Sequence, residues 1–189
     1  MPFDLVIHTR RLVLRPLQRG DVDALFAVFG DPAVMRYWST PPWTDTAPAV
    51  AMVAADEAAD AQADHLRLGL VWRDDDVLIG TCTLFDHDRQ SRRAELGYAL
   101  AQRAWGQGYM HEALSALLDH GFETWNLNRV EADIDPRNEA SARTLERLGF
   151  QREGLMRERW IVAGEVSDTA FYGLLRSQWR ATRSGGSGG

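Results

Sequence analysis

No lysine occurs among the 189 residues: all 21 basic side chains are arginine, set against 27 carboxylates for a formal charge of −6. This balance lacks the basic excess on which general nucleic-acid binding rests, and the protein has no lysine amine of its own to be acylated. Cysteine is nearly as scarce. The single thiol, Cys82, excludes an internal disulfide framework and a cysteine-rich metal site. It lies in "VLIGTCTLFD" with no obvious histidine partner beside it, so a packed core thiol is the plain reading and a covalent nucleophile the sharp one. The five histidines are scattered singly, without metal-ligand spacing, and no metal is expected. No apolar run approaches the roughly 20 residues of a bilayer span, and "MPFDLVIHTRR" lacks the basic-then-apolar order of a secretory leader. These absences imply a cytoplasmic protein that binds neither nucleic acid nor membrane. Internal repeats and interdomain linkers are missing too, so one domain is expected over residues 1–183. The closing "SGGSGG", residues 184–189, reads as a flexible linker or tag remnant.

Periodicity supplies what is present. "RRLVLRPL" alternates Leu12 and Leu14 with Arg11 and Arg15, the pattern of a half-buried strand. Asp21 reads as the N-cap of "VDALFAVF", whose Val22, Leu25, Phe26 and Phe29 form one stripe that Gly30 ends. A short helix follows from Asp31-Pro32, then a loop with Trp43, then an Ala-rich surface helix from Ala47 to about Ala63. "LRLGLVW" and "DVLIGTCTLF" form a hairpin around Arg73–Asp76, and "AELGYAL" adds another strand. Met110, Ala113, Leu114, Leu117, Leu118, Phe122 and Trp125 recur at helical spacing, the clearest such signal in the chain. "RVEADID" is a strand, Asn138 caps "EASARTLERL", Gly149 closes that helix, and two last strands turn at Ala163-Gly164-Glu165. Hairpins mixed with strand-helix-strand crossovers imply a mixed α/β fold, with a mostly antiparallel sheet of about seven strands and helices on both faces.

Within this order, "QRAWGQGYMHEAL" places Gly106 and Gly108 between a strand and a helix whose first turn has no Ser/Asp-type cap. The orphan amides of that turn, with the helix dipole, suit an anion. Glycines permit close backbone approach, and Arg103 stands where it could add a charge-assisted contact to a phosphate. A dinucleotide fingerprint fails because His111 occupies the third glycine's place, and the Gly-Lys-Ser/Thr ending of a P-loop is missing. A pyrophosphate cradle of another kind remains. Two plain turn glycines are the competing reading, weakened by the strand before and the long amphipathic helix after.

"RAWGQG" resembles the Arg/Gln-x-x-Gly-x-Gly signature of the GNAT N-acetyltransferases, whose loop grips the pyrophosphate of coenzyme A. The resemblance extends through "AELGYALAQRAWGQGYMHEAL", "NRVEADIDPRNEASARTLERLGFQREG" and "TRRLVLRPL", from about Thr9 to Trp179, and is nearest the subgroup that acetylates N-terminal amines of ribosomal proteins. It implies an acyl-CoA N-acyltransferase fold and acetyl-CoA as cosubstrate. Trp105, Gly106, Gln107, Gly108, Tyr109 and Met110 would form the loop. The strand before it would splay from its neighbour, so that backbone groups near Tyr98, Ala99 and Leu100 pair with the pantetheine arm and the acetyl oxygen. Asn138 is carried over as a contact to that arm, besides capping its helix.

An alkylammonium must lose a proton before it attacks. Glu95, at the head of the splaying strand, is the candidate base; a salt bridge to Arg92 or Arg93, or a water chain, are the alternatives. Many family members protonate the departing thiolate from a tyrosine one turn before the closing Gly-Phe, where this chain has Leu145. The resembled subgroup instead implies Ser141, a residue equally at home in a helix start. Trp38, Trp43, Trp160 and Asp168 fall in the segments that vary in the family, and suit either packing or a cationic amine. The expected acceptor is a protein or peptide N-terminal amine, then a small amine, attacking directly in a ternary complex by a monomer or homodimer. A non-catalytic acyl-CoA-binding sensor or scaffold module of the same fold is the competing class.

Overall fold

The computed structural model describes residues 5–58 and 64–184. Its strands are β1 (Ile7–His8), β2 (Leu12–Arg15), β3 (Leu66–Trp72), β4 (Leu78–Asp88), β5 (Arg93–Leu100), β6 (Arg129–Ile134), β7 (Gln151–Val162) and β8 (Glu165–Leu175). Its helices are α1 (Val22–Phe29), α2 (Pro32–Met35), α3 (Ala47–Ala58), α4 (Tyr109–Glu123), α5 (Glu139–Arg147) and α6 (Arg176–Ser184). The strands form one sheet in the order β1-β2-β3-β4-β5-β6-β8-β7. Every neighbouring pair is antiparallel except β5 and β6.

Eight strands replace the expected seven or so. The addition is β1, whose two residues pair with Val13 and Leu14 and are too few to leave an alternation. The helix α6 also escaped the periodicity, because "RSQWRATRS" carries one large apolar side chain; Trp179 alone anchors it in the core, its Nε1 donating to Asp119 at 2.9 Å. The far end of the Ala-rich helix, 59–63, and all of the glycine-serine tail beyond Ser184 lie outside the described residues.

Helices cover both faces of the sheet. On one, Leu114, Leu117, Leu118 and Phe122 of α4 are fully buried against Leu68, Leu84 and Leu96, joined by Leu145 of α5. Cys82 is buried in this cluster, and burial pushes its thiol far above the ordinary range, which fits a packed thiol and removes the nucleophile. On the other face Leu25, Phe29, Met35 and Val53 pack against Val71, Leu78 and Ala99. Each buried leucine supplies about 2 kcal/mol of transfer free energy. The buried stripe of α4 therefore fixes the helix without a side-chain cap on its first turn.

Two helix ends differ from their sequence reading. Asp21 precedes α1 but its side chain does not cap that helix. Its carboxylate is buried, paired with both terminal nitrogens of Arg15 at 2.8 and 3.0 Å and accepting the Gln18 amide at 2.8 Å. An ion pair held that way has no free lone pair aimed at the helix. Gly30 ends α1 with φ −86°, not in the left-handed region; a Cβ there would sit 2.7 Å from the Phe26 carbonyl oxygen, so close approach selects the glycine. Asp31 does cap α2, accepting the Ala33 amide at 2.8 Å. Among the described residues no helix is long and apolar enough to cross a membrane.

Candidate active site

The strand β5 runs beside β4 along its whole length, from Arg93 opposite Asp88 to Leu100 opposite Gly80. With β6 it shares only Arg93–Arg129, Ala94–Val130 and Glu95–Glu131. Past Glu131, β6 stays with β8 to Ile134, and the edge of β5 from 96 to 100 has no strand beside it. Two cavities meet in this wedge. The larger, about 540 Å³, is lined by Tyr98, Ala99, Leu100, the glycine loop and α5. The smaller, about 200 Å³, is lined by Leu96, Gly97, Phe85, Asp133 and Trp160. Tyr37, Trp38, Tyr98, Asn138 and Ser141 line both and form the junction.

The loop is built to hold its main chain forward. Gly106 and Gly108 have φ +72° and +78°, left-handed conformations that disfavour side chains. An added Cβ would meet nothing within 4 Å at Gly106 and only an Arg11 nitrogen at 3.6 Å at Gly108; backbone conformation, not crowding, is what selects these glycines. No side chain caps α4. Gly108, Tyr109, Met110 and His111, at this uncapped start with its positive dipole end, line the larger cavity. A diphosphate matches this cradle in charge and in hydrogen-bonding sense.

Arg11 braces the loop from behind, a role that no local pattern announces. Its Nη1 donates to the Gln107 carbonyl at 2.9 Å, its guanidinium lies 4.3 Å over the Tyr109 ring, and its Nε donates to Glu112 at 2.7 Å. Glu112 also accepts from Thr9 Oγ1 and the Arg11 amide, both at 2.7 Å. Burial alone would raise the Glu112 carboxyl, but these bonds outweigh it and hold it below the usual carboxylate range.

The other loop side chains divide. Trp105 lines the larger cavity, its Nε1 donating to the Leu100 carbonyl at 2.7 Å. Gln107 folds back to donate to the Arg103 carbonyl at 3.0 Å. Arg103 turns away: from its short 3-10 turn it reaches the Leu78 carbonyl at 3.4 Å and lies 5.5 Å from the Trp72 ring, outside both cavities. The cations that do line the larger cavity are Arg143 and Arg147, one turn apart on α5. Their spacing was readable, but which face of α5 looks at the loop was not. His111 stands with them; burial first, then the fields of Arg147 and Arg183, lower its pKa.

Ser141 is buried in the first turn of α5, its amide donating to Asn138 Oδ1 at 3.1 Å and its Oγ 2.6 Å from the Tyr98 hydroxyl. Asn138 is thus a true cap as well as a wall of both cavities. Replacing it by alanine should cost about 1 kcal/mol of stability, the usual worth of an N-cap, seen as a lower midpoint in urea unfolding; an unshifted midpoint would remove the cap from the account.

Glu95 lies on the sheet face that carries Phe85, its cross-strand partner, and lines neither cavity itself, although its neighbours Leu96 and Gly97 line the smaller one. Burial, then the charges of Asp133, Asp86 and Glu131, raise its pKa, opposed by Arg93 whose Nη1 stands 3.8 Å away. The carboxylates that line the cavity itself are Asp133 and Asp135, and Asp135 is engaged by Arg137 at 2.6 Å. Asp133, read in sequence only as the polar side of an alternating strand, is the one turned to the cavity without a described ion pair.

Of the aromatic candidates, Trp38 stands at the junction, edge-on to Phe29 at 5.4 Å, and Trp160 lines the smaller cavity. Trp43 stacks on Phe29 at 4.6 Å, inside the second core and away from both cavities. Asp168 is a structural bond: it accepts the Glu158 amide at 2.8 Å where β7 bulges and Glu158 has φ +53°. Among the described residues no group of three or more His, Cys, Asp or Glu is placed to hold a metal ion.

The sequence profile of the acetyltransferase (GNAT) domain matches residues 11–151. The uncharacterized N-acetyltransferase p20 of Bacillus licheniformis is 35% identical over 92% of this chain and 97% of its own length. The ribosomal protein uS5-alanine N-acetyltransferase of Escherichia coli is 31% identical over 65% of this chain and 63% of its own length. Among solved structures, a GNAT-family acetyltransferase from Bacillus anthracis superposes with a TM-score of 0.81 at 23% identity, over 92% of this chain and 99% of that one. A spermidine N-acetyltransferase from Vibrio cholerae, solved with CoA and spermine, gives 0.80 at 22% identity, over 90% of this chain and 98% of that one.

Proposed function

The chain belongs to the GNAT acetyltransferase family and is an N-acetyltransferase, and from that premise we propose that it transfers acetyl from acetyl-CoA to a primary amine, with a protein or peptide N-terminus as the preferred acceptor. The observation that carries this reading is the uncapped start of α4 behind two left-handed glycines, opening on a cavity walled by the unpaired edge of β5. Bound there, the thioester supplies an activated acetyl carbon. The amides of residues 106–110 hold the diphosphate, and Arg143 with Arg147 balance its charge. The unstitched edge of β5 around Tyr98, Ala99 and Leu100 accepts the pantetheine arm as a strand would, with Asn138 beside it, and an amide of that edge meets the carbonyl oxygen as it gains charge. Glu95 takes the amine's proton, directly or through a water in the smaller cavity.

The N-terminal acceptor is supported by the sequence likeness to a ribosomal-protein alanine N-acetyltransferase and by the smaller cavity, where Trp38, Trp160 and Asp133 offer aromatic walls and a carboxylate to a cationic amine. Calorimetry with coenzyme A should give saturable heat, and a thiol-release assay should find turnover on peptides with a free N-terminus above that on amino acids or polyamines. Saturable heat without turnover on any amine would favour the sensor reading. Turnover confined to small amines would transfer the assignment to that class.

A further inference from the structure

Tyr98 entered the sequence reading through its backbone, yet its side chain makes the shortest contact at the junction. The ring leaves β5 three residues past Glu95, on the face shared with Leu96, and packs, partly buried, against the core that α5 joins. Its hydroxyl stands 2.6 Å from Ser141 Oγ, and both residues line both cavities. Tyr98 is therefore a tyrosine from the sheet at a place where Leu145 fills the tyrosine site of the helix, itself fully buried in the core.

A hydroxyl pair leaves one proton to be shared in the bond and one to be pointed elsewhere. Phenol is the stronger acid of the two and hence the better donor. When Tyr98 donates to Ser141 Oγ, the serine's own proton cannot return along that line and turns into the wedge. Ser141 has little other freedom: its amide is fixed to Asn138 at 3.1 Å and its side chain is buried. Tyr98 is kept neutral, because burial pushes its pKa up to about 12.

We propose that Tyr98 is a positioning residue, whose hydroxyl fixes the direction of the Ser141 O–H so that it donates to the sulfur leaving the thioester. The inference rests on the acetyltransferase reading above. In the step concerned the amine's lone pair forms the new N–C bond, the C–S bond breaks with its electron pair left on sulfur, and the amine's proton passes to Glu95. The sulfur is stabilised by the Ser141 hydrogen bond and is then protonated from solvent; Tyr98 keeps its proton throughout.

The experiment is a double-mutant cycle of Tyr98→Phe and Ser141→Ala. Each single substitution should lower kcat about tenfold, the worth of one charge-assisted hydrogen bond, with KM for acetyl-CoA and calorimetric CoA affinity held within about twofold. The double variant should be no slower than Ser141→Ala alone. A Tyr98→Phe enzyme with unchanged kcat, a loss of CoA affinity in step with kcat, or a double variant showing the product of both losses overturns the proposal. A second variant, 3,5-difluorotyrosine at 98, keeps ring and hydroxyl but ionises at lower pH, and its phenolate would accept the serine proton. The alkaline fall in kcat should move to lower pH; an unmoved limb overturns the proposal as well. Absence of CoA heat in the unmodified protein overturns the acetyltransferase reading itself, an outcome distinct from every variant result.

Discussion

A Gly108→Val protein is expected to bind coenzyme A at least about a hundredfold more weakly than the unmodified chain, a loss of roughly 2.7 kcal/mol. Residue 108 has φ +78°, and a β-branched side chain is among the least tolerant of that region. Valine moves the backbone toward negative φ, which rotates the amides that follow it away from their common focus. A Cβ at 108 would make only an ordinary contact, with an Arg11 nitrogen at 3.6 Å, so the loss comes from the direction of the N–H groups and not from a side chain filling the cradle. Gly164→Val supplies the control: φ is +86° at the β7–β8 turn, outside both cavities. Both variants should lose some stability in thermal unfolding, while only Gly108→Val loses calorimetric affinity. Equal CoA binding in Gly108→Val and the unmodified protein would sink the cradle.

The second large effect concerns the base. Glu95→Gln should lower kcat about a hundredfold near neutral pH, the scale of a lost general base, with little change in CoA affinity. A base acts when deprotonated, so activity rises with pH through the Glu95 pKa. Burial and the surrounding carboxylates raise that pKa, so the acid limb lies above the ordinary carboxylate range. Asp133→Asn removes the largest of the charge contributions and should move the limb to lower pH. In Glu95→Gln the limb should vanish along with the rate. Stopped-assay profiles of the three enzymes decide it; an acid limb retained by Glu95→Gln assigns the proton to another group.

What the sequence disclosed here was whatever repeats or punctuates. The stripe of α4 is nearly all buried as read, Trp125 alone lying beyond the helix end. The uncapped turn, the two glycines, the Asn138 cap and the Gly149 closure at φ +92° are local signals with local causes. Contacts across long separations left no trace. Arg11 braces the loop from 96 residues away, and Tyr98 meets Ser141 over a separation of 43. Asp133 looks, in one strand, like any outward carboxylate until the sheet opens beside it. Misplaced candidates fail for the same reason: Arg103, Trp43 and Asp168 have suitable chemistry, but a 3-10 turn, a phenylalanine ring and a strand bulge claim them first.

The short parallel contact between β5 and β6 has a mechanical consequence. Five strands lie on one side of it and three on the other, stitched by three residue pairs. The chain thus resembles two panels sharing a brief hinge line, with α4 and α5 seated over the same core as their braces. A molecule that lies along the unstitched length and bonds to both panels acts as mortar, and by mass action adds RT ln(1 + [L]/Kd) to the work of prying them apart. If the proposed reactants lie in this gap, they span the one parallel and sparsely stitched seam of the sheet, so cohesion is expected to rise with occupancy.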